Sequence, residues 1–134
     1  MSEVIYLKQG EGRDFLILDA AMNDLIRPAM YDAHHDIIPV IEPVPGLEPK
    51  PYDIVGPVCE SGDTFAKARH MPPVGAGDLV AFRSAGAYGA VMSSEYNTRA
   101  LIPEVLVKDD QFAVIRPRPS FDEIINRDTI PEWL

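Results

Sequence analysis

Tyr52-Asp53-Ile54-Val55-Gly56-Pro57-Val58-Cys59-Glu60-Ser61-Gly62-Asp63 runs from an apolar, β-branched stretch straight into a glycine turn. Tyr, Ile and Val suit a pleated, half-buried surface, whereas Gly62-Asp63 suits a reversal of the chain. Tyr52 to Val58 is therefore predicted as a strand that delivers Cys59, the only cysteine, and Glu60 to a turn. A thiol beside a carboxylate on such a turn is placed to be presented and not to fill a core.

Outward from this stretch the same switch recurs at short intervals. Val4 to Leu7 and Phe15 to Leu18 are short apolar runs joined by the polar and glycine residues of 9–14, which predicts an opening hairpin. Ile37 to Ile41 reads as a strand. The segment 42–51 carries four prolines and Gly46, so it reads as a loop, because proline removes ladder donors. A short segment at Thr64 to Ala68 precedes the glycine and proline break at 71–78, which delivers Leu79 to Phe82 as a strand. Leu101 to Val107 and Phe112 to Ile115 form a last hairpin through Lys108-Asp109-Asp110-Gln111. Ser120 with Glu123 three residues on is a capping box that opens a terminal helix. A second short helix spans Leu25 to Tyr31, with Asn23 or Asp24 as its cap and Pro28 in its first turn. The sum is a mainly β fold: an antiparallel β-barrel or sandwich with two or three short helices, not a set of parallel βαβ units.

The chain has 134 residues, a length that fits one compact domain over 1–134. Hydrophobic residues make up 46% and charged residues 25%, the balance of a chain that folds. A formal net charge of -9 repels phosphate backbones and anionic lipid, which excludes nucleic acid and membrane surfaces as primary partners. One cysteine forms no internal disulfide, no apolar run approaches a membrane span, and the start Met-Ser-Glu-Val has no signal-peptide pattern. A cytoplasmic location is expected.

Four places carry polar groups at element ends. Arg27 and Tyr31 stand four residues apart, so one helical turn points them the same way. Cys59 and Glu60 share a turn. Tyr88 is the one large residue within Gly86-Ala87-Tyr88-Gly89-Ala90, and Ser93-Ser94-Glu95-Tyr96-Asn97 follows it. An arginine fork suits a carboxylate and a glutamate suits an ammonium, so a zwitterionic amino acid is the ligand these groups match; scattered surface charge is the competing reading. His34 and His35 are adjacent and have no ligand spacing, so no metal site is expected, and they and His70 read as surface or hydrogen-bonding residues. The glycine stretches lack a Walker or dinucleotide pattern, and Ser93 and Ser94 lack a nucleophile elbow.

Asp19 to Tyr31, Gly56 to Asp63, and Gly86-Ala87-Tyr88-Gly89 with Met92 to Asn97 together resemble, in order and spacing, motifs of the diaminopimelate decarboxylases. The likeness runs over nearly the whole chain and matches the C-terminal β-domain of these pyridoxal-phosphate enzymes, of fold type III with alanine racemase and ornithine decarboxylase. The resemblance implies decarboxylation of meso-diaminopimelate to L-lysine. It implies that Arg27 and Tyr31 hold the distal carboxylate, that Glu60 accepts the distal ammonium and that Tyr88 contacts the cofactor. It further implies that Cys59 lies near the reacting carbon and that Cys59 and Glu60 enter the neighbouring subunit's site in a homodimer. The family's N-terminal (β/α)8 barrel, with its cofactor-anchoring lysine and phosphate cradle, has no counterpart in the sequence. Lys8, Lys50, Lys67 and Lys108 lie outside any such motif. The chain alone is thus expected to be inactive and to need a barrel partner; a stand-alone binding or regulatory module is the alternative.

Overall fold

The computed structural model describes residues 1–134, which divide into two compact units, 1–93 and 94–134. The first unit holds β1 (Ser2–Gln9), β2 (Asp14–Leu18), α1 (Arg27–Tyr31), β3 (Ile37–Pro39), β4 (Lys50–Val55), β5 (Thr64–Met71) and β6 (Leu79–Phe82). Its strands form one sheet in the order β3-β6-β1-β2-β4-β5. Both edge strands line a single groove, through Ile37–Pro39 and Arg69–Met71, so the sheet curls into a nearly closed barrel. Inside it Val4, Leu16, Leu18, Leu25, Ile37, Tyr52, Ile54, Phe65, Met71 and Val80 form the core. The alternation of β1 shows why: Ser2 and Val4 are buried while Glu3 and Ile5 are exposed, the period of a half-buried strand.

The mainly β fold with short helices is as expected, with local departures. One pair, β2 with β4, is parallel. The helix, β3 and the proline loop lie between them, and a connection of that length is what a parallel pairing requires. The strand expected over Tyr52 to Val58 stops at Val55. Gly56 and Val58 turn their amides to Asp63, so they leave the ladder, and Pro57 has no amide to give. The segment expected to end at Ala68 continues to Met71 as an eight-residue strand. Ala68 sits in the left-handed region (φ 49°) and gives its N–H to the buried Asp53 carboxylate at 2.7 Å, so the strand bulges there and resumes.

The second unit carries β7 (Glu104–Lys108) and β8 (Gln111–Arg116), an antiparallel hairpin, and α2 (Phe121–Ile125). Asp109 makes the reversal at φ 54°. An Arg116–Glu104 ion pair at 2.7 Å closes the open end of the hairpin. The capping box at α2 is present: Ser120 Oγ accepts the Glu123 N–H, and the Glu123 carboxylate accepts the Ser120 N–H. Glu95 pairs with Arg127. Val105, Val107, Phe112 and Val114 on one face of the hairpin, and Leu106 and Ile115, are all exposed. No helix is long and apolar enough to cross a membrane.

Candidate functional site

The five-residue α1 is too short to be stable on its own sequence, so its neighbours decide where Arg27 and Tyr31 stand. Its N-cap is Ile26, with no side-chain cap, where Asn23 or Asp24 was expected. Asp24 is buried and accepts the Ala21 N–H at 2.9 Å, and Asn23 Nδ2 donates to Asp24 Oδ1 at 3.3 Å. These residues build the turn before the helix and not its cap. Pro28 lies in the first turn, as its missing N–H requires, and Asp32 ends the helix in the left-handed conformation, φ 51°.

Both ends of the helix are tied to β5 and the turn before it. On the N-terminal side, the buried Asp63 carboxylate accepts the Met22 N–H at 2.7 Å and the Val58 N–H at 2.8 Å. A Cβ at position 56 would lie 2.3 Å from both Asp63 carboxylate oxygens, which is why Gly56 stands there. On the C-terminal side, Arg69 donates to the His35 carbonyl at 2.9 Å and to His34 Nδ1 at 3.1 Å. With Nδ1 accepting, His34 Nε2 carries the proton it shares with Asp36 at 3.1 Å. That hydrogen bond is the main reason the Asp36 carboxyl lies below its ordinary range. His35 is buried, with Nδ1 on the Arg83 carbonyl at 3.2 Å.

The Arg27 guanidinium stands 5.7 Å from the Tyr88 ring centroid, within cation–π range. Tyr88 is held there by an unusual backbone, with φ 61°. A Cβ on Gly89 would come 2.0 Å from the Ala85 carbonyl oxygen, so the loop folds on itself only because that residue is glycine. Tyr31, exposed, lines a groove of about 820 Å³ with Ser61, Gly62, Lys67 and Arg69. Cys59 and Glu60 are exposed on the adjoining turn and are not part of that lining; the Glu60 carboxylate accepts the Gly62 N–H at 3.4 Å. Arg27 is thus in contact with Tyr88, and Tyr31 faces the end of the Cys59 turn. Ser94 to Asn97 belong to the second unit. Sequence reading missed Asp63, Asp53 and Arg69, which hold these groups in place; each looked like an ordinary turn or strand polar residue because its partner is 15 or more positions away in at least one contact.

Lys8, Lys50, Lys67 and Lys108 are all exposed. None of the four is enclosed by the fold, as a lysine that holds a cofactor covalently has to be.

Residues 1–86 match the family model of the pyridoxal-dependent decarboxylase C-terminal sheet domain. The chain belongs to this decarboxylase family. Its curated relatives include diaminopimelate decarboxylases of Zymomonas mobilis, 48% identical over the whole chain, and of Pseudomonas aeruginosa, 51% identical over 92% of it. The chain spans only 31% and 29% of the length of those two proteins. Among solved structures it is similar to the Helicobacter pylori diaminopimelate decarboxylase complexed with L-lysine, with a TM-score of 0.83 and 40% identity over 94% of the chain and 30% of the enzyme. The M. jannaschii diaminopimelate decarboxylase in co-complex with L-lysine gives a TM-score of 0.90 and 34% identity over 99% of the chain and 30% of that enzyme.

Proposed function

We propose that the chain acts as the C-terminal sheet part of a diaminopimelate decarboxylase, which removes carbon dioxide from meso-diaminopimelate to leave L-lysine. The observation that carries this is 48% identity along all 134 residues to the Zymomonas mobilis enzyme, supported by the contact between Arg27 and Tyr88. Pyridoxal phosphate, bound by another part of the complete enzyme, supplies the electron sink for the bond that breaks. The chain's own residues bind and orient. Arg27 loses none of its N–H donors to the Tyr88 ring, so its fork is available to the distal carboxylate, with the Tyr31 hydroxyl as second donor. Glu60 takes the distal ammonium, Cys59 stands near the reacting carbon, and the Tyr88 phenol meets the cofactor.

Exposure of Cys59 and Glu60 on their turn supports a role across a two-fold axis, where they complete the site of a second copy in a homodimer. Fixing the substrate's far end in this way is the positioning that turns binding into rate. The 134-residue polypeptide by itself has no turnover and gains it with a pyridoxal-phosphate-binding barrel, in the cytoplasm. The test is a chimera in which these 134 residues replace the matching C-terminal part of the Zymomonas mobilis enzyme, assayed for L-lysine from meso-diaminopimelate. Turnover is expected. A folded, cofactor-loaded chimera that makes no lysine overturns the proposal and leaves a binding module as the reading.

A further inference from the structure

We propose that Asp63 is a positioning residue for the decarboxylase site: its buried carboxylate locks the Cys59–Glu60 turn to the segment that leads into α1. This rests on the function proposed above. Asp63 is 3% exposed, and each of its two carboxylate oxygens accepts an amide from a different segment, Met22 at 2.7 Å and Val58 at 2.8 Å. Its backbone serves the same turn, accepting the Gly56 N–H at 3.0 Å and donating to the Glu60 carbonyl at 3.0 Å. A turn alone needs only one side-chain oxygen, which Asn or Ser supplies. Two oxygens that each take an amide, one from the turn itself and one from the distant Met22 segment, need a carboxylate, and burying one is unfavourable unless both bonds form.

The consequence is geometric. Met22 lies five residues before Arg27, and Val58 immediately precedes Cys59, so one charged group sets the separation of the two halves of the proposed substrate grip. Met22 also packs on Gly62, its Cε 3.5 Å from where a Cβ would be, so the two segments meet through side chain as well as through Asp63. Asp63→Asn keeps the shape but has one acceptor oxygen and one NH2 group. It can hold its own turn or the Met22 segment, not both.

The experiment has two arms. In the 134-residue chain, Asp63→Asn is expected to raise amide exchange at Met22 or Val58 by about ten-fold or more while the core amides of Leu16 and Ile54 keep their protection, as the loss of one charge-assisted hydrogen bond requires. In the chimera, the same variant is expected to raise KM for meso-diaminopimelate by about ten-fold or more with kcat less affected, because the grip is misplaced and not the chemistry. A purely structural role lowers the active fraction, and so the apparent kcat, at unchanged KM. Unchanged exchange at both amides, or KM within about two-fold of the parent chimera, overturns the inference. An inactive parent chimera counts against the proposed function instead, and the exchange arm then decides the lock by itself.

Discussion

Replacing Gly56 by Ala should be far more costly than its size suggests, because the added methyl falls on the buried Asp63 carboxylate, which holds two amides. The new Cβ would stand 2.3 Å from both Asp63 oxygens, a distance that forces the carboxylate to turn away from Met22 and Val58. Hydrogen bonds to a charged group contribute about 1.5–3 kcal/mol each, so losing both costs about 3–6 kcal/mol before relaxation, and about 3 kcal/mol is the expected net effect. The backbone at Gly56 is outside the left-handed region, so alanine itself is not strained there. In an Asp63→Ala background the same substitution meets no carboxylate. It should then be neutral or stabilising by up to about 1 kcal/mol, through the reduced freedom of the unfolded chain. Urea unfolding of the four proteins of this cycle, with exchange at the Val4, Leu16 and Ile54 amides reporting on the first unit, gives a coupling of about 3 kcal/mol. Additive effects, or a single-substitution cost under about 1 kcal/mol, would refute the idea that Gly56 exists to make room for Asp63.

Ala68→Gly should stabilise the protein by about 0.5–1 kcal/mol, since glycine relieves the left-handed backbone at φ 49° by more than it loosens the unfolded chain; a lower urea midpoint would contradict this. The Tyr52 phenol is pushed above its ordinary 10.0 by burial first and by the Asp14 charge second, against a hydrogen bond with the Val74 backbone. The folded state therefore keeps a proton that the unfolded state releases: stability is intact below about pH 10 and falls as pH rises from there through the folded value, by at most about 1.4 kcal/mol per pH unit. Tyr52→Phe should flatten that alkaline loss in urea titrations, and an unchanged slope would count against it. Ser120→Ala removes the side-chain half of the capping box, the Oγ that accepts the Glu123 N–H, and should cost α2 about 1 kcal/mol, read as faster exchange of the Glu123 amide. In the chimera, Arg27→Met should raise KM for meso-diaminopimelate by about ten- to a hundred-fold, the effect of losing one charge-assisted pair; KM within about two-fold of the parent would remove Arg27 from the site.

The local chemistry of the chain made most elements legible. The hairpin of β1 and β2, the strand at Leu79–Phe82, the last hairpin and the α2 capping box follow from alternation and turn residues that lie within a few positions of one another. Three of the departures trace to a buried carboxylate. β4 ends at Val55 because Asp63 captures the next amides, β5 survives Ala68 because Asp53 holds the bulge, and α1 lacks its expected cap because Asp24 serves an earlier turn. In the first two cases a buried carboxylate overrides local propensity through a partner distant along the chain or hidden from solvent. The parallel β2–β4 pair is likewise a matter of which strands meet once the sheet curls.

For the candidate site, the residue types were readable: an arginine and a phenol one turn apart, a thiol beside an acid on a glycine turn, and a tyrosine among small residues. Sequence alone determined this inventory, the mainly β class and the charge that repels phosphate, because each depends on side-chain chemistry or on neighbours along the chain. Tertiary structure alone decided that Tyr88 covers Arg27, that Tyr31 faces Ser61 and Gly62, and that Asp63 and Arg69 fasten the two ends of α1. Hydrogen bonds and packing that join residues tens of positions apart exist only after the sheet has closed, and no local pattern in the chain encodes their partners.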